Sequence, residues 1–206
     1  STKTATTNNT EFSSSYMPVG INENVTLKEV NVNKTQNGRD FLEIIFENEQ
    51  GQTATMTEWK NEKNMWIKTD EDLQRRDDAQ FGRILQVMGA CADILKNLSF
   101  EGNSFVEMIN WVKSNIDEAI NNNEGNHMRL KVVYDKNGYT KVSNLGVFVE
   151  SMGVTESQIK LWKNDLLERP VQPDKEDDPF GGQTMSAGPA TSVTADSNTG
   201  ADDLPF

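Results

Sequence analysis

The stretch EWKNEKNMWIK, residues 58–68, sets Trp59 and Trp66 among Lys60, Lys63 and Lys68. Cations for the phosphates and aromatic faces for the bases are the two ingredients of a single-stranded nucleic-acid groove. A second group with the same ingredients comes later. Arg129 and Lys131 alternate with apolar residues in HMRLKVVY, Lys136 lies in the DKNG turn, and Tyr139 and Lys141 follow it. Each stacked base contributes ~1–3 kcal/mol, so two exposed rings and a handful of phosphate contacts suffice for salt-sensitive binding. The plainer reading makes Trp59 and Tyr134 core residues and the lysines an ordinary surface. Tyr134 shares strand parity with Leu130 and Val132, which favours the core, and Trp66, between Met65 and Ile67, fits either role.

Other chemistries find little support. One cysteine, Cys91, and one histidine, His127, cannot supply the four N or S ligands of a structural zinc site, and Cys91 among Met88, Ala90 and Ala92 reads as a buried thiol. There is no phosphate-cradling glycine loop and no nucleophile with a neighbouring base, so no cofactor and no catalytic residue is expected. Asp70 with Asp72, or Asp77 with Asp78, would be the acid pairs of a metal-dependent nuclease, a pattern any acidic protein offers. Arg75, Arg76 and Arg83 read as a solvated helix face neutralised in part by Asp77 and Asp78. No apolar run reaches the ~18–20 residues of a membrane span, and the start lacks the order of a signal peptide. The expectation is a cytoplasmic protein with no membrane partner.

The charge balance looks adverse to a polyanion: 20 basic against 32 acidic side chains, a net of -12. Its distribution changes the meaning. From Pro170 to Phe206 seven acids (Asp174, Glu176, Asp177, Asp178, Asp196, Asp202, Asp203) face one lysine, Lys175, so this tail holds half the excess. Basic surface on the body must be local.

The elements that would position these residues are legible in order. Residues 1–16, rich in Ser, Thr and Asn, cannot offset their own ordering entropy and read as a disordered arm. ENVTLKEVNVNK alternates at Val25 and Leu27 and resumes at Val30 and Val32, a long strand with a bulge near Lys28 and Glu29. Asn37-Gly38 turns the chain into FLEIIFEN, and Gly51 turns it again into TATMTEW, completing a three-stranded meander. A helical insert spans 69–122. Its first helix is capped by Thr69 and presents Phe81, Ile84, Leu85, Met88, Ala92 and Leu95, while the second opens on the capping box Ser104 to Glu107. A second hairpin pairs HMRLKVVY with YTKVSNLGVFVES about Asn137-Gly138. A last helix, capped by Thr155 with Gln158, presents Ile159, Trp162 and Leu166 and stops at Pro170. This order makes the body, 17–169, mainly β with a helical insert, an OB-fold-like five-stranded barrel, with another α+β sandwich as the rival. Residues 170–206 read as a disordered acidic tail.

Within that tail EDDPFGG (176–182) and DDLPF (202–206) repeat a motif of two Asp followed by Pro-Phe. The final five residues are similar to the acidic C-terminal tip of bacterial single-stranded-DNA-binding proteins. The stretch MPVGINENVTLKEV leading to TEWKNE resembles the N-terminal part of phage single-stranded-DNA-binding proteins. The resemblance implies a tip, Asp202, Asp203, Leu204, Pro205 and Phe206, that docks in an apolar pocket with a basic rim on replication or repair proteins. A solubilising tail with an accidental Phe end is the plain alternative. The expected function is non-catalytic: coating single-stranded DNA in replication, recombination and repair while the tip recruits partners. The alternative is a protein-interaction adaptor of a replication complex without direct DNA binding. Oligomeric state is left open by the sequence.

Overall fold

A computed structural model describes residues 15–170. The proposed arm up to residue 14, the tail motif at 176–182 and the tip Asp202–Phe206 lie outside the described residues.

The first strand, β1 (Gly20–Lys34), is long enough to serve two partners. Its second half pairs antiparallel with β2 (Asp40–Glu47), from Thr26↔Glu47 to Lys34↔Asp40, and its first half pairs with β4 (Met128–Tyr134), from Gly20↔Val132 to Val25↔Met128. The register slips between Leu27 and Glu29, the bulge that the change of alternation signals. A second irregularity falls between Asn22 and Val25, where Asn24 adopts φ 54°; the run Asn22-Glu23-Asn24 has no apolar pattern from which it could be read. The two irregularities bend one strand between two half-sheets.

Strand β3 (Thr53–Trp59) pairs along β2 from Glu47↔Thr53 to Phe41↔Trp59. The returning hairpin strand is broken where the sequence suggests a continuous one. β5 (Thr140–Val142) sets Val142 opposite Val132, and β6 (Val149–Ser151) sets Val149 opposite Leu130, so residues 143–148 loop out. The result is a six-stranded antiparallel sheet in the order β3-β2-β1-β4-β5, with β6 also on β4. No ladder joins β3 to β5, and the sheet is not closed by hydrogen bonds.

Two helices cover its inner face. Helix α1 (Asp70–Cys91) begins where Thr69 Oγ1 accepts the Asp72 amide, with Asp70, Glu71 and Asp72 in the first turn favouring the helix dipole. It ends sooner than the apolar spacing suggests: Ala92 is extended and Leu95 sits in a short 3-10 turn. Helix α2 (Phe105–Asn121) is capped by Ser104 Oγ, which accepts the Glu107 amide, while Glu107 accepts the Asn103 amide in return. Ile84, Val87, Met88 and Cys91 of α1, with Ile109, Val112 and Ile116 of α2, pack against the strand residues that alternate inward, among them Val30, Leu42, Ile44, Phe46, Leu130 and Val132. Burial pushes the Cys91 thiol up to about 11, so it is inert at neutral pH. No helix among the described residues is long and apolar enough to cross a membrane.

The closing helix does not form. Residues 154–169 cross the sheet as an irregular strap. The cap signal at Thr155 and Gln158 is real in composition, but two side chains of the sheet and one of the strap itself take the backbone groups a helix needs. Glu150 accepts the Gln158 amide (2.9 Å), Asp165 accepts the Trp162 amide (2.7 Å), and Lys131 donates to the Lys160 carbonyl (2.9 Å). Ile159 is buried, while Trp162 and Leu166 are exposed.

Candidate nucleic-acid interface

Strand β2 alternates buried Leu42, Ile44 and Phe46 with Phe41, Glu43, Ile45 and Glu47 on the outer face. Because Phe41 pairs with Trp59, the two rings meet there, centroids 4.5 Å apart and planes 33° from parallel. The β1–β2 turn adds a cation to the pair. Thr35 accepts the amides of Gly38 (through its carbonyl) and Arg39 (through Oγ1), which fixes the start of the Arg39 side chain. Its guanidinium lies 5.2 Å from the Trp59 centroid and donates to the Lys60 carbonyl at 3.1 Å. Trp59 is 37% exposed and Lys60 is exposed, so one edge of the sheet presents an aromatic pair with two cations beside it.

The loop between β3 and α1 is organised by Asn64, whose Oδ1 accepts the amides of Trp66 (2.8 Å) and Ile67 (3.1 Å). Ile67 is buried and anchors the loop. Trp66, at 79% exposure, is the most exposed aromatic among the described residues and a core role for it is ruled out. Lys63 pairs with Asp70 at 2.6 Å; Lys60 and Lys68 have no ion pair among the described residues.

At the second hairpin, Asp135 Oδ1 accepts the amides of Asn137 and Tyr139, and Gly138 takes φ 80°, a conformation that favours glycine. This turn exposes Lys136 and Tyr139, the latter at 69%. Lys141 is also exposed and faces β3 across a groove of about 210 Å³ lined by Thr55–Glu58, Arg83 and Lys141–Asn144. The wall of this groove is rigid: Glu58, almost buried, accepts both Arg83 Nε (2.7 Å) and Nη2 (2.8 Å), as well as Gln80 (2.9 Å). The Glu58 carboxylate holds the Arg83 guanidinium above its ordinary pKa.

Arg129 and Lys131 stand apart from the rest of the proposed set. Alternation on β4 aims them at one face, as read, but the strap 154–169 covers that face. Lys131 is fully buried, its three ammonium protons shared among Asp165 Oδ2 (2.9 Å), the Leu145 carbonyl (3.0 Å) and the Lys160 carbonyl (2.9 Å). Asp165 also accepts Ser143 Oγ and the Trp162 amide; burial works against its charge, yet these donors hold its pKa below the ordinary 3.8. Arg129 spans Glu23 and Glu150, each at 3.2 Å, and donates to the Val154 carbonyl. Both cations tie the strap to the sheet, and the Lys131 ammonium has no path to a phosphate.

Sequence reading missed Arg39 and Phe41. The signal was present: FLEIIF is apolar on both parities, so part of its outer face had to be aromatic or aliphatic surface. The same face limits any polyanion, because Glu29, Glu43 and Glu47 alternate outward beyond the Trp59 row. The acid pairs considered for metal chemistry are engaged locally: Asp70 with Lys63, Asp72 with Arg75, Asp77 with Asn61 and Asp78 with Gln74. No protein-family model matches the chain, and no curated protein matches it.

Proposed function

We propose that this chain is a non-catalytic single-stranded-DNA-binding protein similar to those of phages, with an OB-type body and a partner-recruiting tip at Asp202–Phe206. The observation that carries the reading is the Arg39–Trp59–Phe41 stack with Lys60 beside Trp59 in the chain, together with the exposed Trp66 of the loop that follows. Stacking faces beside unpaired cations suit a single strand, whose bases are free to stack and whose phosphates are within reach. Trp59, Lys60, Trp66 and Lys68 would take one part of the strand, Lys63 assisting once Asp70 releases it, and Lys136, Tyr139 and Lys141 another. The OB reading draws on a long bent β1 shared by β2 and β4 and on edge strands β3 and β5 lining one groove without pairing. Replication and repair proteins would be the tip's partners, through the ring and carboxylates of Asp202, Asp203, Leu204, Pro205 and Phe206.

Titrating the full chain with oligo-dT tests this. Tryptophan fluorescence should be quenched, with affinity falling as salt rises by a log–log slope of about -0.7 per phosphate contacted. Absence of both quenching and a mobility shift at low salt would sink the reading. It would leave the protein-interaction adaptor, which draws on the acidic outer face at Glu29, Glu43 and Glu47.

A further inference from the structure

The strap carries an aromatic, Trp162, that the sequence places on the face of a closing helix with Ile159 and Leu166 and the fold leaves exposed. Trp162 is 51% and Leu161 49% exposed, and Lys160 and Lys163 flank them, exposed and without ion pairs among the described residues. The ring is exposed, but its backbone is held. The Trp162 amide donates to Asp165 Oδ2 and its carbonyl accepts the Asp165 amide at 2.9 Å, while the Lys160 carbonyl accepts from Lys131. Lys131 and Asp165 have no side-chain exposure. The indole also lies on Gly146, at φ 63°, where a Cβ would come within 2.9 Å of Trp162 Nε1.

A ring fixed in this way gives up little freedom when a ligand stacks on it. At its other end the strap reaches the second hairpin: the Tyr134 amide donates to the Leu166 carbonyl, and Arg169 Nε to the Gly138 carbonyl at 3.1 Å. The charged groups on this side are Lys136, Lys160, Lys163 and Arg169 against exposed Glu156 and Glu168, with Asp135 occupied by its own turn. The local balance is basic, although the chain is acidic.

We propose that Trp162, with Lys160 and Lys163, is a second stacking platform for single-stranded DNA, continuing the path that Tyr139 begins. This rests on the single-strand-binding reading, and commits the exposed face of the strap to nucleic acid over an apolar protein partner. The buried Lys131–Asp165 pair is then the positioning element of that platform.

The test uses the full chain and oligo-dT of about 4 and about 16 nucleotides, the span covered by one OB-type domain. W162A should weaken binding of the longer strand by about 5- to 150-fold, the range expected for one lost stacked base, K160Q/K163Q should weaken it through lost phosphate contacts, and both should leave the shorter one unchanged. W162F should restore most of the loss. W162A binding both lengths like the parent, or weakening both equally, overturns the second platform and leaves the primary interface standing. Failure of the parent chain to bind either length removes both. Native packing of each variant is read from the buried Cys91, which should resist a thiol reagent at neutral pH. Should W162A expose it, the surface pair K160Q/K163Q decides alone.

Discussion

A lysine on an amphipathic strand reads as a surface cation, and Lys131 shows what that inference leaves out. Parity places its side chain opposite Leu130 and Val132, but whether that face meets water depends on residues 154–169, some thirty positions away. The fully satisfied ammonium makes the pair with Asp165 a structural bond whose loss is costly on one side only. K131M should destabilise the fold by about 3–5 kcal/mol, because Asp165 stays buried without its counter-charge, and K131M/D165L should recover much of it. Urea unfolding of the three chains measures this. The acid limb follows from the same site. Asp165 and Glu150 both have folded pKa values below their ordinary 3.8 and 4.5; for each, burial opposes the shift and the donated hydrogen bonds, with the neighbouring cation, overcome it. Their contribution is therefore complete above the ordinary carboxylate range and is lost as pH falls through the lowered values. D165N should be less stable than the parent at pH 7 and should lose less on acidification below about pH 4.

Elements set by local chemistry were legible and those set by distant partners were not. The caps Thr69 and Ser104, the bulge at Lys28 and the turns at Gly38, Gly51 and Gly138 depend on residues within a few positions, and each stands where the sequence puts it. The strap has equally good local signals, yet Glu150 and Lys131 on the sheet take its Gln158 amide and Lys160 carbonyl. The loop carrying Trp66 lies between these cases. Nothing periodic marks it, but Asn64 holds its form through two amides. N64A should cost the fold about 1–2 kcal/mol, since the freed Trp66 amide can turn to water while that of the buried Ile67 loses its partner. It should lower oligo-dT affinity several-fold by leaving Trp66 without a fixed direction. Thermal unfolding and a fluorescence titration separate the two, and unchanged affinity would remove Trp66 from the interface.

At the scale of the molecule, two charge distributions share one chain. The described body carries unpaired cations near Trp59, Trp66, Tyr139 and Trp162, while the segment from Pro170 onward holds half of the net -12. Those carboxylates and the phosphates of a single strand would be drawn to the same cations, so tail and DNA should compete, and the competition should fade once the Debye length falls below ~10 Å at about 0.1 M salt. Replacing the tail's Asp and Glu by Asn and Gln should therefore raise oligo-dT affinity several-fold at low salt and leave it unchanged at high salt. Deleting only Asp202–Phe206 removes two of seven acids, so DNA binding should be equal or slightly tighter, whereas capture of replication or repair proteins should be abolished because the Phe206 ring is gone. Titration and pull-down on the same preparations distinguish the roles: parallel loss of both activities would mean that tail and body do not divide the work. Retained capture without the last five residues would shift the docking role to the earlier repeat at Asp177–Phe180.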